Sequence, residues 1–282
     1  MLTHTDFPQE AGPIGVFDSG YGGLTILRQI RKTMPQYDYL YLGDNARAPY
    51  GTRSFDVVYE FTLQAVRYLF ERGCHLVILG CNTASAKALR TIQRTDLPTL
   101  DPQRRVLGVI RPTVESIGEL SHSRHVGVLA TQGTVNSRTY ELEIAKLYPD
   151  IVVTGEACPM WVSLVENHEQ DSMGADYFVK DSIERIMGRD PQIDCLILGC
   201  THFPLLHDKI MKYVPKGVSV ISQGKYVADS LSDYLHRHAD MERLVTKGET
   251  VRFLTTENPD TFQENAAKFI GNPLVAERVL LG

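Results

Sequence analysis

The chain has 282 residues, is 43% hydrophobic and carries a formal charge of −5, long enough to bury one large core or two smaller ones. The acidic balance and the lack of any basic run argue against nucleic acid or an anionic membrane surface as a partner, and no apolar stretch approaches a membrane span in length. The opening MLTHTDFPQEAGP has no cationic segment followed by an apolar one, so no signal peptide is read there and a cytoplasmic location is expected.

Apolar runs alternate with amphipathic stretches from the start. Strands are expected near 14–18 (IGVFD), 39–43 (YLYLG), 76–80, 106–109, 125–130 (HVGVLA), 151–155, 194–198, 218–221 and 250–254. Helical periodicity fills the gaps, for example over 55–71 and 225–237. Short, continuously apolar strands separated by helices indicate βαβ units and parallel sheets covered on both faces. Nine strands are many for one sheet, which favours two lobes.

Five cysteines (Cys74, Cys81, Cys158, Cys195, Cys200) with no CxxC pattern point to free thiols in a reducing compartment. Two of them share a setting: VILGCNTAS ends a strand at Gly80-Cys81, and LILGCTHFP ends another at Gly199-Cys200. Cys200 lies 119 positions after Cys81, and GVFDSG at Gly15 has a fainter echo, GVLATQ, 112 positions on at Gly127. The near-equal offsets suggest a duplicated unit. The expected fold is therefore α/β, two pseudo-symmetric doubly wound lobes with mainly parallel sheets and the active site in the cleft between them. Lobe one takes residues 1–111 with 222–282 returning to it, and lobe two takes 112–221.

In open parallel sheets ligands collect at the carboxyl ends of strands. Asp18-Ser19-Gly20, Gly43-Asp44 with NARAPYGTR, Cys81-Asn82-Thr83 and Cys200-Thr201-His202 all fall at such ends. Asp18-Ser19 can serve as a helix cap alone, and APYG as a tight turn. Cys74, Cys158 and Cys195 read as inert core thiols. Cys81 and Cys200 differ, because each sits between a strand and a helix start, where a thiolate is stabilised.

A zinc site on Cys200 and His202 lacks a familiar fourth ligand, and Cys195 faces the other side of its strand. A redox dithiol would need its sulfurs to close to about 2 Å. A cysteine hydrolase leaves the second thiol unexplained. Inverting a carbon centre, by contrast, uses one thiol on each face, each about 3–3.5 Å from the carbon and so roughly 6–7 Å from the other.

DSGYGG, YLGDNARAPYGTRS, CNTASA, EACPMWVSLVE and LGCTHFPLL, in this order through nearly the whole chain, resemble the motifs of the glutamate racemases, within the aspartate/glutamate racemase superfamily. The resemblance implies cofactor-independent interconversion of L- and D-glutamate, supplying D-glutamate for peptidoglycan, with no cofactor, no metal and a homodimeric assembly common in the family. It implies that Cys81 takes the proton from D-glutamate and Cys200 from L-glutamate. Asp18 and Ser19 would contact the substrate amine and carboxylate, Asp18 also assisting Cys81. Tyr50, Gly51, Asn82, Thr83 and Thr201 would bind substrate, His202 would bind it and assist Cys200, and Glu166 would support His202 as a further acid.

Tyr21, Phe203, the Ser222-Gln223 of ISQG, and Asn167-His168 depart from the usual pattern. No lysine lies in a motif that would hold pyridoxal phosphate. The rival readings are an aspartate or broad-specificity amino-acid racemase on the same fold, and a non-catalytic protein that closes on an amino acid.

Overall fold

The computed structural model describes residues 7–282; half of the opening segment read for a signal peptide, residues 1–6, lies outside them. Among the described residues ten strands form two sheets, and every pairing there is parallel. The first holds β1 (Ile14–Asp18), β2 (Tyr39–Gly43), β3 (Leu76–Leu79), β4 (Arg105–Gly108), β9 (Val251–Thr255) and β10 (Ala276–Arg278), in the order β10-β9-β2-β1-β3-β4. The second holds β5 (His125–Ala130), β6 (Val152–Ala157), β7 (Cys195–Gly199) and β8 (Ser219–Ile221), in the order β6-β5-β7-β8.

The order β2-β1-β3-β4 recurs as β6-β5-β7-β8, so the internal repeat seen in the cysteine spacing is a repeat of topology. In both sheets the chain starts in the middle, turns to one side, then crosses to the other. That reversal opens a crevice at the carboxyl ends of the two central strands. Asp18 ends β1 and Ser19 follows it, and Cys81 closely follows β3; Thr131 follows β5 and Cys200 follows β7.

The central strands β1, β3 and β7 are buried at every position, which is why they read as unbroken apolar runs. Both faces are covered. Ile14 and Val16 pack with Leu24, Leu27 and Ile30 of the helix Gly23–Thr33, while Phe17 packs with Val58, Val66 and Leu69 of the helix Phe55–Glu71. In the second sheet Leu196 and Leu198 join one core and Cys195 and Ile197 another. Cys74, Cys158 and Cys195 are buried and free, each thiol pushed up chiefly by burial.

The nine expected strands are all present, displaced by a residue or two at their ends. The tenth, β10, has no apolar signal: it is three residues long, with two exposed positions at the sheet edge. Of the segments that tie the sheets together, the helix Gly224–Arg237 packs on Gly23–Thr33. Among the described residues no helix is long and apolar enough to cross a membrane.

Candidate active site

Ser19, Gly20, the loop Ala48–Gly51, Cys81, Asn82 and Thr83 from the first lobe, and Thr131, Val162, Glu166, Cys200, Thr201 and His202 from the second, line one cavity. The two repeated cysteines therefore meet at the same space, each delivered by the strand-ending turn of its own sheet. The enclosed volume is small, about 30 Å³, room for roughly one or two waters. An amino acid needs these walls to part before it enters.

Cys81 caps the helix Asn82–Lys87, its sulfur accepting from the Ala84 N–H at 3.4 Å. Ser19 Oγ lies 3.4 Å from the same sulfur. Helix-start N–H groups favour a thiolate, and the sequence alone suggests one here. The structure reverses that expectation: burial, then the Asp18 charge, push the Cys81 thiol up to about 12, outweighing the Ser19 and Ala84 hydrogen bonds. Asp18 stands behind the cavity wall rather than in it. One carboxylate oxygen accepts from the Gly20 N–H at 2.8 Å, and the other, Oδ1, is buried with no protein partner. Burial raises this carboxyl above its ordinary range.

Cys200 is set differently. Its sulfur lies 3.8 Å from His202 Nδ1, and His202 Nε2 lies 2.8 Å from Glu166 Oε1. Burial by itself would lower the imidazole, but the hydrogen bonds and charges of Cys200 and Glu166 prevail and raise it to about 10. At neutral pH the second thiol thus has an imidazolium beside it. Phe269 packs edge-on against the ring, 5.4 Å between centroids.

The glycine loop serves the second lobe as well as any ligand. A Cβ on Gly22 would stand 2.2 Å from Thr201 Oγ1 and 2.5 Å from His202 Nδ1, so only glycine lets the lobes meet there. Thr25 Oγ1 adds a bond to the Thr201 carbonyl at 3.1 Å. Gly51 plays the same part against Thr131, whose Cβ would lie 2.8 Å from an added methyl, and its carbonyl accepts from the Gly133 N–H.

Tyr50 lines the cavity, but its hydroxyl is committed to Asp44, which also accepts from Arg47 and from Thr256 Oγ1 at 2.9 Å. Burial and the Asp44 charge hold the phenol protonated, well above its usual range. Asn82 and Thr83 are bonded across the cleft, Thr83 Oγ1 lying 3.0 Å from Thr131 Oγ1 and 3.4 Å from Thr134 Oγ1. Thr131 was open to sequence reasoning: the GVLATQ echo places it where Ser19 stands in the first repeat. Tyr21 lies outside the lining, stacked between Phe262 and Phe269, and Phe203 packs on Trp161.

A larger cavity, about 640 Å³, opens among Lys87, Arg90, Arg111, Glu143, Lys146 and Arg237. It contains neither thiol, and size alone does not make it the centre of the chemistry.

A sequence model described as Asp/Glu/Hydantoin racemase matches residues 24–231, and the chain belongs to that family. Among its relatives is a glutamate racemase of Roseobacter denitrificans, 42% identical over 91% of this chain and 96% of that protein. Another, from Ruegeria sp., is 39% identical over 94% and 98%. Of solved structures, a glutamate racemase from Bacillus anthracis matches with a TM-score of 0.87 at 32% identity, over 96% of this chain and 98% of that one. One from Francisella tularensis, in complex with D-glutamate, matches at 0.84 and 32% over the same shares.

Proposed function

We propose that this chain is a glutamate racemase that moves the α-proton with two of its own cysteines and no cofactor, and that it supplies D-glutamate for cell-wall synthesis in the cytoplasm. The observation that carries the reading is the pair of repeated thiols, Cys81 and Cys200, from separate sheets on one cavity. The lobes are taken as 1–111 with 222–282, and 112–221, so that each brings one thiol.

From L-glutamate, the Cys200 thiolate forms its S–H bond as the Cα–H bond breaks, and the electron pair passes into the α-carboxylate as an enediolate. Cys81 then gives its proton to the opposite face: its S–H bond breaks and the new Cα–H bond forms, leaving D-glutamate and a Cys81 thiolate. The raised Cys81 thiol suits the unliganded site to this direction, with one sulfur ready to give its proton, while the His202 imidazolium lies beside the other. The reverse reaction exchanges the roles.

The costly species is the enediolate. Donors to its oxygens act most strongly in a closed, water-poor space. Ser19, Thr83 and Thr201 are assigned to that task, with Asn82 and the backbone N–H groups of Tyr50 and Gly51 holding the substrate and Asp18 countering its ammonium. Glu166 holds His202, which holds Cys200.

The test is interconversion of D- and L-glutamate in metal-chelated, pyridoxal-free buffer, with aspartate alongside. Equilibration of glutamate with solvent deuterium entering at Cα supports the reading. Binding without α-exchange, or turnover of aspartate alone, overturns it.

A further inference from the structure

Asn82 adjoins Cys81, yet its side chain is held by groups far from it in sequence. Its Nδ2 donates to Gln223 Oε1 at 2.6 Å, and its Oδ1 accepts from the Tyr140 hydroxyl at 2.7 Å. Gln223 Nε2 closes the circuit by donating to Tyr140 Oη at 2.8 Å. All three side chains are buried, each about 2% exposed, so water does not compete for these bonds.

Taken alone, such a ring runs equally well in either sense. Turning over both amides and reversing the hydroxyl gives another complete set of bonds. A fourth group breaks the tie. Gln223 Nε2 also lies 3.1 Å from the Val109 carbonyl and 3.2 Å from Thr113 Oγ1, and a backbone carbonyl only accepts. The nitrogen of Gln223 must therefore face Val109. This sets the Tyr140 hydroxyl as donor to Asn82 Oδ1, and turns Asn82 so that its nitrogen faces Gln223 Oε1 and keeps one of its two N–H groups unspent.

Asn82 lines the cavity. An N–H at that wall attracts a carboxylate, and a carbonyl there would repel it. We infer that Gln223 is a positioning residue for substrate recognition: anchored on Val109 and bonded to Asn82 both directly and through Tyr140, it fixes the sense of the Asn82 amide so that the site presents a donor to an anionic substrate. The inference rests on the glutamate reading and adds to it a residue that never touches the substrate. Gln223 and Val109 lie where the chain passes between the sheets, after β8 and β4, and Tyr140 belongs to the second lobe. Loss of the ring therefore also loosens the seam between the lobes.

Gln223→Met keeps length and volume but cannot donate or accept as an amide, and Tyr140→Phe removes one hydroxyl. Gln223→Met is expected to raise KM for both enantiomers about tenfold, the worth of roughly one buried hydrogen bond, with kcat within about threefold, as for lost binding common to ground and transition states. Tyr140→Phe, which leaves the direct Gln223–Asn82 bond in place, should raise KM less. In an Asn82→Ala background Gln223→Met should add nothing further to KM. Independent of turnover, the Asn82 side-chain amide, assigned in NMR spectra by its loss in Asn82→Ala, should hold one slowly exchanging proton in the wild type and lose that protection in Gln223→Met.

A KM effect that adds fully to Asn82→Ala, or an Asn82 amide equally protected in both proteins, overturns the inference. If Gln223→Met fails to fold, Gln223→Leu, which also lacks the amide, carries the same tests. If the wild type does not interconvert glutamate, the functional reading fails, and the amide measurement still decides the role of Gln223.

Discussion

The two half-sites share a scaffold and differ in what stands beside the sulfur. Each thiol follows the third strand of a β2-β1-β3-β4 or β6-β5-β7-β8 unit, after a strand-ending glycine and before a helical turn. Beside Cys81 lies a buried carboxyl, Asp18, which pushes the thiol further up. Beside Cys200 lies an imidazole that Glu166 and the thiol itself hold protonated. The repeat sets the two sulfurs at one space, and their neighbours give them different electrostatic surroundings. In each direction one face acts as acid and the other as base, and the roles exchange when the reaction reverses.

The comparison breaks most completely at the sulfurs. Cys81→Ser and Cys200→Ser should each lower racemisation by about 10³-fold or more, with thermal unfolding little changed. In the proposed reaction Cys81→Ser keeps deuterium exchange into L-glutamate only, and Cys200→Ser into D-glutamate only, read by mass spectrometry of each enantiomer. Equal exchange into both by either variant would abolish the distinction between the faces.

A smaller loss is expected at the seam. Gly22→Ala drives a methyl into Thr201 and His202, so kcat/KM should fall about 10²-fold in both directions through displacement of the second half-site, with a lower Tm. The finest probe is Glu166→Gln. Removing that carboxylate takes away one of the influences raising His202, so the imidazolium is lost at lower pH than in the wild type. The alkaline limb of kcat/KM for L-glutamate should shift to lower pH, while that for D-glutamate, where Cys81 is the base, moves less. An equal shift in both directions would place His202 in the service of both thiols.

Much of this arrangement was legible in the chain because burial writes itself into strands. β1, β3 and β7 have no exposed position, and their apolar runs end at Asp18, Gly80 and Gly199, which mark the site. Glu166, by contrast, is in sequence an ordinary polar residue at the end of the helix Trp161–Glu166, and only folding brings it 2.8 Å from His202. Tyr140 carried no signal and Gln223 only a departure from the usual pattern, since their partner Asn82 is 58 and 141 positions from them. The raised Cys81 thiol was misjudged for a related reason: the helix start is local and visible, whereas the degree of burial and the approach of Asp18 are tertiary facts. β10 escaped because an exposed, three-residue edge strand buries too little to leave a pattern.

The chamber's closeness has a kinetic consequence. Walls drawn from both halves leave about 30 Å³ between them, so one posture of the molecule cannot both admit a guest and transform it. Every turnover has to include a breath, open and shut. However well the two sulfurs are tuned, the pace of that breathing is a ceiling their acid–base chemistry cannot lift.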